Sequence, residues 1–144
     1  MKEMVNINIV NKQKLDFEQS DVIKSNNEAL FYKKNDIYYL IYNDHSEGID
    51  GAKTTLKIDE ENNRILLLRA EPAKMKQVFC KGERKKGYYQ VDERRLDFEV
   101  KTNKIKVEVN DDEGKIKINY ITFLMGEKTA ENSLEINYSR KGVD

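Results

Sequence analysis

Cysteine and histidine are the scarcest reactive residues in this 144-residue chain, with one of each, Cys80 and His45. A single cysteine excludes an internal disulfide, and a single histidine excludes a His-rich metal centre within one chain. Proline occurs once and glycine seven times, and there is no Pro-, Gly- or Ser-rich linker, internal repeat or low-complexity tract. Residues 1–144 are therefore expected to form one domain around one core, as the length suits. Long hydrophobic runs are missing as well. The longest, at 37–42 and 65–68, fall far short of the roughly 18 apolar residues of a membrane helix. An excess of one charge is absent too: 26 basic and 26 acidic side chains sum to +0. No global field then steers the protein onto nucleic acid or an acidic membrane. The first ten residues carry a charge pair and alternating asparagines where a secretory signal needs an apolar stretch of about 7–15 residues. A soluble cytoplasmic protein is the expectation, in keeping with an unpaired Cys80.

What is abundant is alternation. Ala52, Thr54, Leu56 and Ile58 share one parity against Lys53, Thr55, Lys57 and Asp59. The same period of two recurs in Leu96, Phe98 and Val100, in Ile105, Val107 and Val109, in Ile116, Ile118 and Tyr120, and in Leu134, Ile136 and Tyr138. Such stretches are half-buried antiparallel strands with a wet outer face. Turn chemistry rich in Asn, Asp and Gly separates them, at Asn35-Asp36, 47–51, 59–63, 81–83, 111–114 and Gly126-Glu127. Strands are predicted near 4–10, 16–24, 28–33, 37–43, 52–59, 64–70, 75–80, 87–91, 95–109 and 115–138, the last two interrupted at Thr102-Asn103 and Gly126. Residues 71–79 also fit a short helix starting at Pro72, but a strand with Met75, Gln77 and Phe79 inward is preferred between flanking strands. The pattern predicts an all-β fold, an antiparallel up-and-down barrel of about ten strands.

Further residues carry a resemblance. Tyr38-Tyr39-Leu40-Ile41-Tyr42 followed by Asp44, then Thr54-Thr55-Leu56-Lys57-Ile58, then Leu67-Leu68-Arg69 resemble successive strands of the YwiB-like family of bacterial proteins. Tyr89 with Leu96, Phe98, Val100 and Thr102, and Tyr120, Asn132, Leu134 and Ile136 near the C-terminus, continue the likeness over most of the chain. The resemblance implies a calycin-type, lipocalin-like β-barrel of uncharacterised function. The chain departs from the family at Glu71, where a glycine is usual, and at Tyr89-Gln90-Val91 and Arg94, where Tyr-x-Thr and a glycine turn are usual.

Catalytic chemistry finds little material. His45 lies in Asn43-Asp44-His45-Ser46-Glu47, but neighbours in one turn cannot converge as nucleophile, base and orienter must. Cys80 sits between Lys76 and Lys81, cations that lower a thiol pKa, yet a small buried thiol is the simpler reading. The acidic clusters 59–61 and 111–113 lack the alternating oxygen ligands of a calcium loop, and no Gly-rich loop offers a phosphate cradle. No enzyme, metal or cofactor is expected.

Binding has more to work with. A barrel of ten strands should leave a lumen, since diameter grows with strand number. The apolar parities would line it with Tyr39, Ile41, Thr54, Leu56, Phe98, Val100, Ile118, Tyr120 and Tyr138, a composition suited to a small lipophilic or carboxylate-bearing ligand. Arg69 shares parity with Ile65 and Leu67. An inward course would make its fork an anchor for carboxylate or phosphate. The outward course, with Leu66, Leu68 and Ala70 inside and Arg69 beside Glu71, is preferred, because charged side chains are almost never buried without a partner. The candidate ligand residues are therefore Arg69, Tyr39, Thr54, Phe98, Tyr120 and Tyr138. The alternative is an interaction module at the basic hairpin of Lys81, Arg84, Lys85 and Lys86, beside Tyr88, Tyr89, Arg94 and Arg95. That composition suits protein or, less well given Glu83, Asp92 and Glu93, single-stranded nucleic acid. Nothing in the residues sets an oligomeric state.

Overall fold

In the computed structural model, which describes residues 2–15, 20–45 and 51–140, alternation is realised as ten antiparallel strands. They are β1 (Glu3–Leu15), β2 (Ser20–Lys34), β3 (Ile37–Asp44), β4 (Ala52–Asp59), β5 (Arg64–Arg69), β6 (Ala73–Cys80), β7 (Arg84–Val91), β8 (Arg94–Val109), β9 (Glu113–Leu124) and β10 (Glu127–Arg140). Each pairs with its neighbour in sequence, and β1 pairs with β10 to close the barrel. Of the predicted strands 16–24 and 28–33, residues 20–24 and 28–33 belong to one strand, β2, while 16–19 lie outside the described residues, and 115–138 is the β9–β10 hairpin. The segment 73–80 is strand, not helix, entered through a cis Glu71-Pro72 bond.

Local chemistry places the turns. Asn35 and Asp36 both take positive φ, 52° and 64°, which a two-residue hairpin of the right twist demands and which Asn and Asp tolerate. Asn110 Oδ1 accepts the amide hydrogens of Asp112 and Glu113 at 2.9 Å each, so the acidic cluster 111–113 is a side-chain-capped hairpin turn. Asp59 does the same for Asn62. Both were expected as turns. A bulge between Thr102 and Lys104 lets the long β8 bend without losing its inner parity, so that Val100, Thr102 and Ile105 are all buried.

The lumen has an apolar end and a polar end. Toward the end closed by the turns 35–36, 60–63, 81–83 and 110–112, it is filled by Val5, Ile7, Phe31, Leu40, Ile58, Ile65, Phe79, Ile116 and Ile136, each at most 4% exposed. Rings meet across it: Phe79 of β6 packs edge-on against Tyr120 of β9 at 4.9 Å, and Phe31 of β2 stacks on Tyr138 of β10 at 5.0 Å. Tyr138 lies over Gly114, its partner across the β9–β10 ladder, where a Cβ would come within 2.0 Å of the ring. Aromatic side chains thus reach across this half, and a cavity of about 1110 Å³ is lined at its end by Ile7, Glu60, Val109, Asn110, Gly114 and Tyr138, among others. Thr54 and Arg69, opposite each other across the β4–β5 ladder, face the lumen toward the opposite end, while Thr102 and Asn132 flank Tyr120 on the neighbouring strands.

Candidate functional site

Register decides which side chains converge at that polar end. Thr54 of β4 lies directly opposite Arg69 of β5, Leu56 opposite Leu67, and Ile58 opposite Ile65. Thr54, Leu56 and Ile58 are buried at 1%, 1% and 0%, and partners across a ladder share a face, so Arg69 points into the barrel. The preferred outward course is thereby corrected. Leu66 and Leu68 form the outer face instead, opposite Lys57 and Thr55. Sequence parity could not separate the two courses because β5 is apolar on both.

Arg69 is half-buried rather than sealed. Its Nε–H donates to the Ala73 carbonyl at 2.6 Å, and its guanidinium lies 5.4 Å from the centre of the Tyr89 ring, within cation–π range. It forms no ion pair with any carboxylate among the described residues. With Nε committed, the end of the fork carrying Nη1 and Nη2 is the edge left for a bidentate anion. Tyr42 of β3 is opposite Thr54. Burial pushes its phenol pKa up, the Asp44 charge adds to this, and Arg69 opposes it. Neither Tyr42 nor Tyr89 is among the ligand candidates read from the sequence, where Tyr89 belongs to the basic hairpin instead. For Tyr42 the obstacle was β3, whose apolar residues occupy both parities; for Tyr89 the register Tyr89 to Leu96 was legible but not tied to Arg69.

The other candidates disperse. Tyr39 and Ile41 face outward, since Leu40 and Tyr42 occupy the lumen at 0% and 6% exposure; Tyr39 stacks on Tyr32 at 4.7 Å and lies under the Lys57 ammonium. Their predicted lumen places are corrected. Phe98 faces inward opposite Gly87 and is half-buried. Tyr120 is lumen-facing, raised to a pKa of about 12 by burial against a hydrogen bond with Asn11. Tyr138 is at the apolar end, its hydroxyl donating to the Asn110 carbonyl at 2.7 Å. The Thr54 hydroxyl donates to the Ala52 carbonyl at 3.2 Å. Two further lumen-facing atoms, Asn11 Oδ1 and Thr102 Oγ1, are buried without a hydrogen-bond partner among the described residues.

Three of the six cations of the basic hairpin, Arg84, Lys85 and Arg95, are paired with neighbouring carboxylates. Arg84 pairs with Glu99 at 3.2 Å and covers the Phe123 ring, Lys85 pairs with Glu83, and Arg95 pairs with Asp97 at 2.9 Å while stacking on Tyr88. Its aromatic faces are already occupied by guanidinium groups. His45 is exposed, and its neighbours Ser46 and Glu47 lie outside the described residues. Cys80 is buried. Among the described residues no group of three or more His, Cys, Asp or Glu could hold a metal ion, and no helix is long and apolar enough to cross a membrane.

Closed ladder, meander order and a side-chain-filled lumen define an all-β protein of the ten-stranded antiparallel barrel class. Residues 7–136 match the family model described as a domain of unknown function, DUF1934, and the chain belongs to that family. It is 26% identical over 119 residues to the uncharacterised β-barrel protein YwiB of Bacillus subtilis (strain 168), covering 82% of this chain and 81% of that protein. The crystal structure of the ywiB protein from Bacillus subtilis superposes with a TM-score of 0.84 over 96% of this chain and 92% of that one, at 22% identity. The barrel is thus shared, and the family is described as one of unknown function.

Proposed function

We propose that the polar mouth of the barrel binds a small ligand bearing a carboxylate or phosphate, without performing chemistry on it. The observation that carries this reading is Arg69: a lumen-facing guanidinium with Nε held by the Ala73 carbonyl, one face on Tyr89, and no ion pair with a described carboxylate. A guanidinium so held has paid its ordering cost in advance, which favours binding of a planar anion. A short apolar tail on such a ligand would lie beside Leu67, Met75 and Leu96, which share the inner face with Arg69 and Tyr89. The basic hairpin has less support as a recognition surface, because Arg84 and Arg95 are matched by Glu99 and Asp97.

Native mass spectrometry of protein purified from its own cells tests the reading. Retained mass is expected in the parent, lost in Arg69→Gln and partly kept in Arg69→Lys, which preserves charge but not the fork. Equal retention by parent and Arg69→Gln, or no retained mass in the parent at any purification stage, overturns it.

A further inference from the structure

The outer faces of β2 to β5 carry apolar side chains where a barrel strand should be wet. Leu30 lies opposite Ile41, Ile41 opposite Thr55, and Thr55 opposite Leu68; in the next row Tyr32 lies opposite Tyr39, Tyr39 opposite Lys57, and Lys57 opposite Leu66. All are only partly covered. At about 4.8 Å per strand, four strands make a surface about 14 Å wide and two rows deep. The lumen faces of the same strands are buried, so β3 and β5 are apolar on both sides. Strands of that kind are normally covered on both sides, and a contiguous apolar face marks an interaction site.

The charges around this surface indicate what covers it. Here Lys53, Lys57 and Lys76 form no ion pair among the described residues, and Lys57 instead covers the Tyr39 ring at 5.6 Å. The acid at an outward position of β4, Asp59, is engaged by Asn62. We infer that this face docks an acidic amphipathic segment of another protein, its apolar side on Ile41 and Leu68 and its carboxylates on Lys53, Lys57 and Lys76. A second copy of this chain would bring unpaired lysines against each other, a like-charge contact that costs affinity. The surface lies on the opposite side of the sheet from Arg69 and does not depend on the mouth.

A photo-crosslinking residue in place of Thr55, at the centre of the surface, tests this in the cells that make the protein. Crosslinking to an Asp/Glu-rich segment of a second protein is expected. It should fall about tenfold when Lys53, Lys57 and Lys76 are all changed to Glu, the order of effect of about 1.4 kcal/mol, and persist when all three are changed to Arg. Thermal unfolding of both triple variants establishes that they fold. Crosslinks only between copies of this chain, flotation of the protein with phosphatidylglycerol vesicles in place of a protein crosslink, no crosslink, or yields unaffected by charge reversal would each overturn the proposal.

Discussion

Thr102 is fully buried, yet its hydroxyl finds no partner among the described residues, a combination that costs about 1–3 kcal/mol relative to a satisfied group. Thr102→Val, which replaces the hydroxyl by a methyl of similar volume, is therefore expected to raise stability by about 1 kcal/mol. Urea denaturation checks it, and a lower midpoint would mean that the hydroxyl is bonded in solution. Gly114 is the opposite case. A side chain there collides with the Tyr138 ring, which is held by the Asn110 carbonyl and the Phe31 stack. Gly114→Ala should cost about 1–3 kcal/mol, the range for overpacking, and Gly114→Ala in a Tyr138→Leu background should cost less. The double-mutant cycle in chemical denaturation measures that difference.

At the scale of elements, hairpins and closure divide the work. The β9–β10 turn places Met125 at φ 52° and 95% exposed, followed by Gly126 at φ 82°. Its geometry suits Asn-Gly, and methionine gains nothing there by burial. Met125→Asn is expected to stabilise by about 0.5–1 kcal/mol, read as a rise in melting temperature. Closure itself rests on the β1–β10 ladder, from Val5 opposite Arg140 to Leu15 opposite Ala130. Arg140 adds ion pairs to Glu3 and to Asp112. Those groups are partly exposed, with Arg140 at 44%, and solvent screens them. Arg140→Ala should therefore cost under about 1 kcal/mol, less still at high salt. A loss several times larger in a urea titration would assign closure to the clasp rather than the ladder.

The whole molecule should respond to alkali more than to acid. Tyr42, Tyr120 and Tyr138 have phenol pKa values raised above the ordinary 10.0, in each case chiefly because burial disfavours the phenolate. A group whose native pKa is raised contributes stability that is intact below its unfolded pKa and is lost as pH rises toward the native one. The window therefore opens near pH 10.0 and extends through about 12, the value for Tyr120. Within it each such tyrosine removes up to about 1.4 kcal/mol per pH unit. Unfolding midpoints measured across that range should fall steeply, and these three phenols should ionise only as the barrel opens, seen as a late step in the tyrosinate absorbance. Smooth titration of all eight tyrosines with no loss of fold would contradict the burial.

Alternation alone determined the fold class, most turn positions and the inner faces of β4, β8, β9 and β10, because in those strands one parity is apolar and the other charged. It also made Thr54, Phe98, Tyr120 and Tyr138 lumen residues. It could not orient β3 or β5, where Tyr38-Tyr39-Leu40-Ile41-Tyr42 and Ile65-Leu66-Leu67-Leu68 are apolar at every position. There the closed ladder decided: Leu40 is held opposite Leu56, and Leu67 opposite both Leu56 and Gln77. A slip of one residue would turn every side chain to the other face, and the register settles it by turning Tyr39 and Leu68 outward and Arg69 into the mouth.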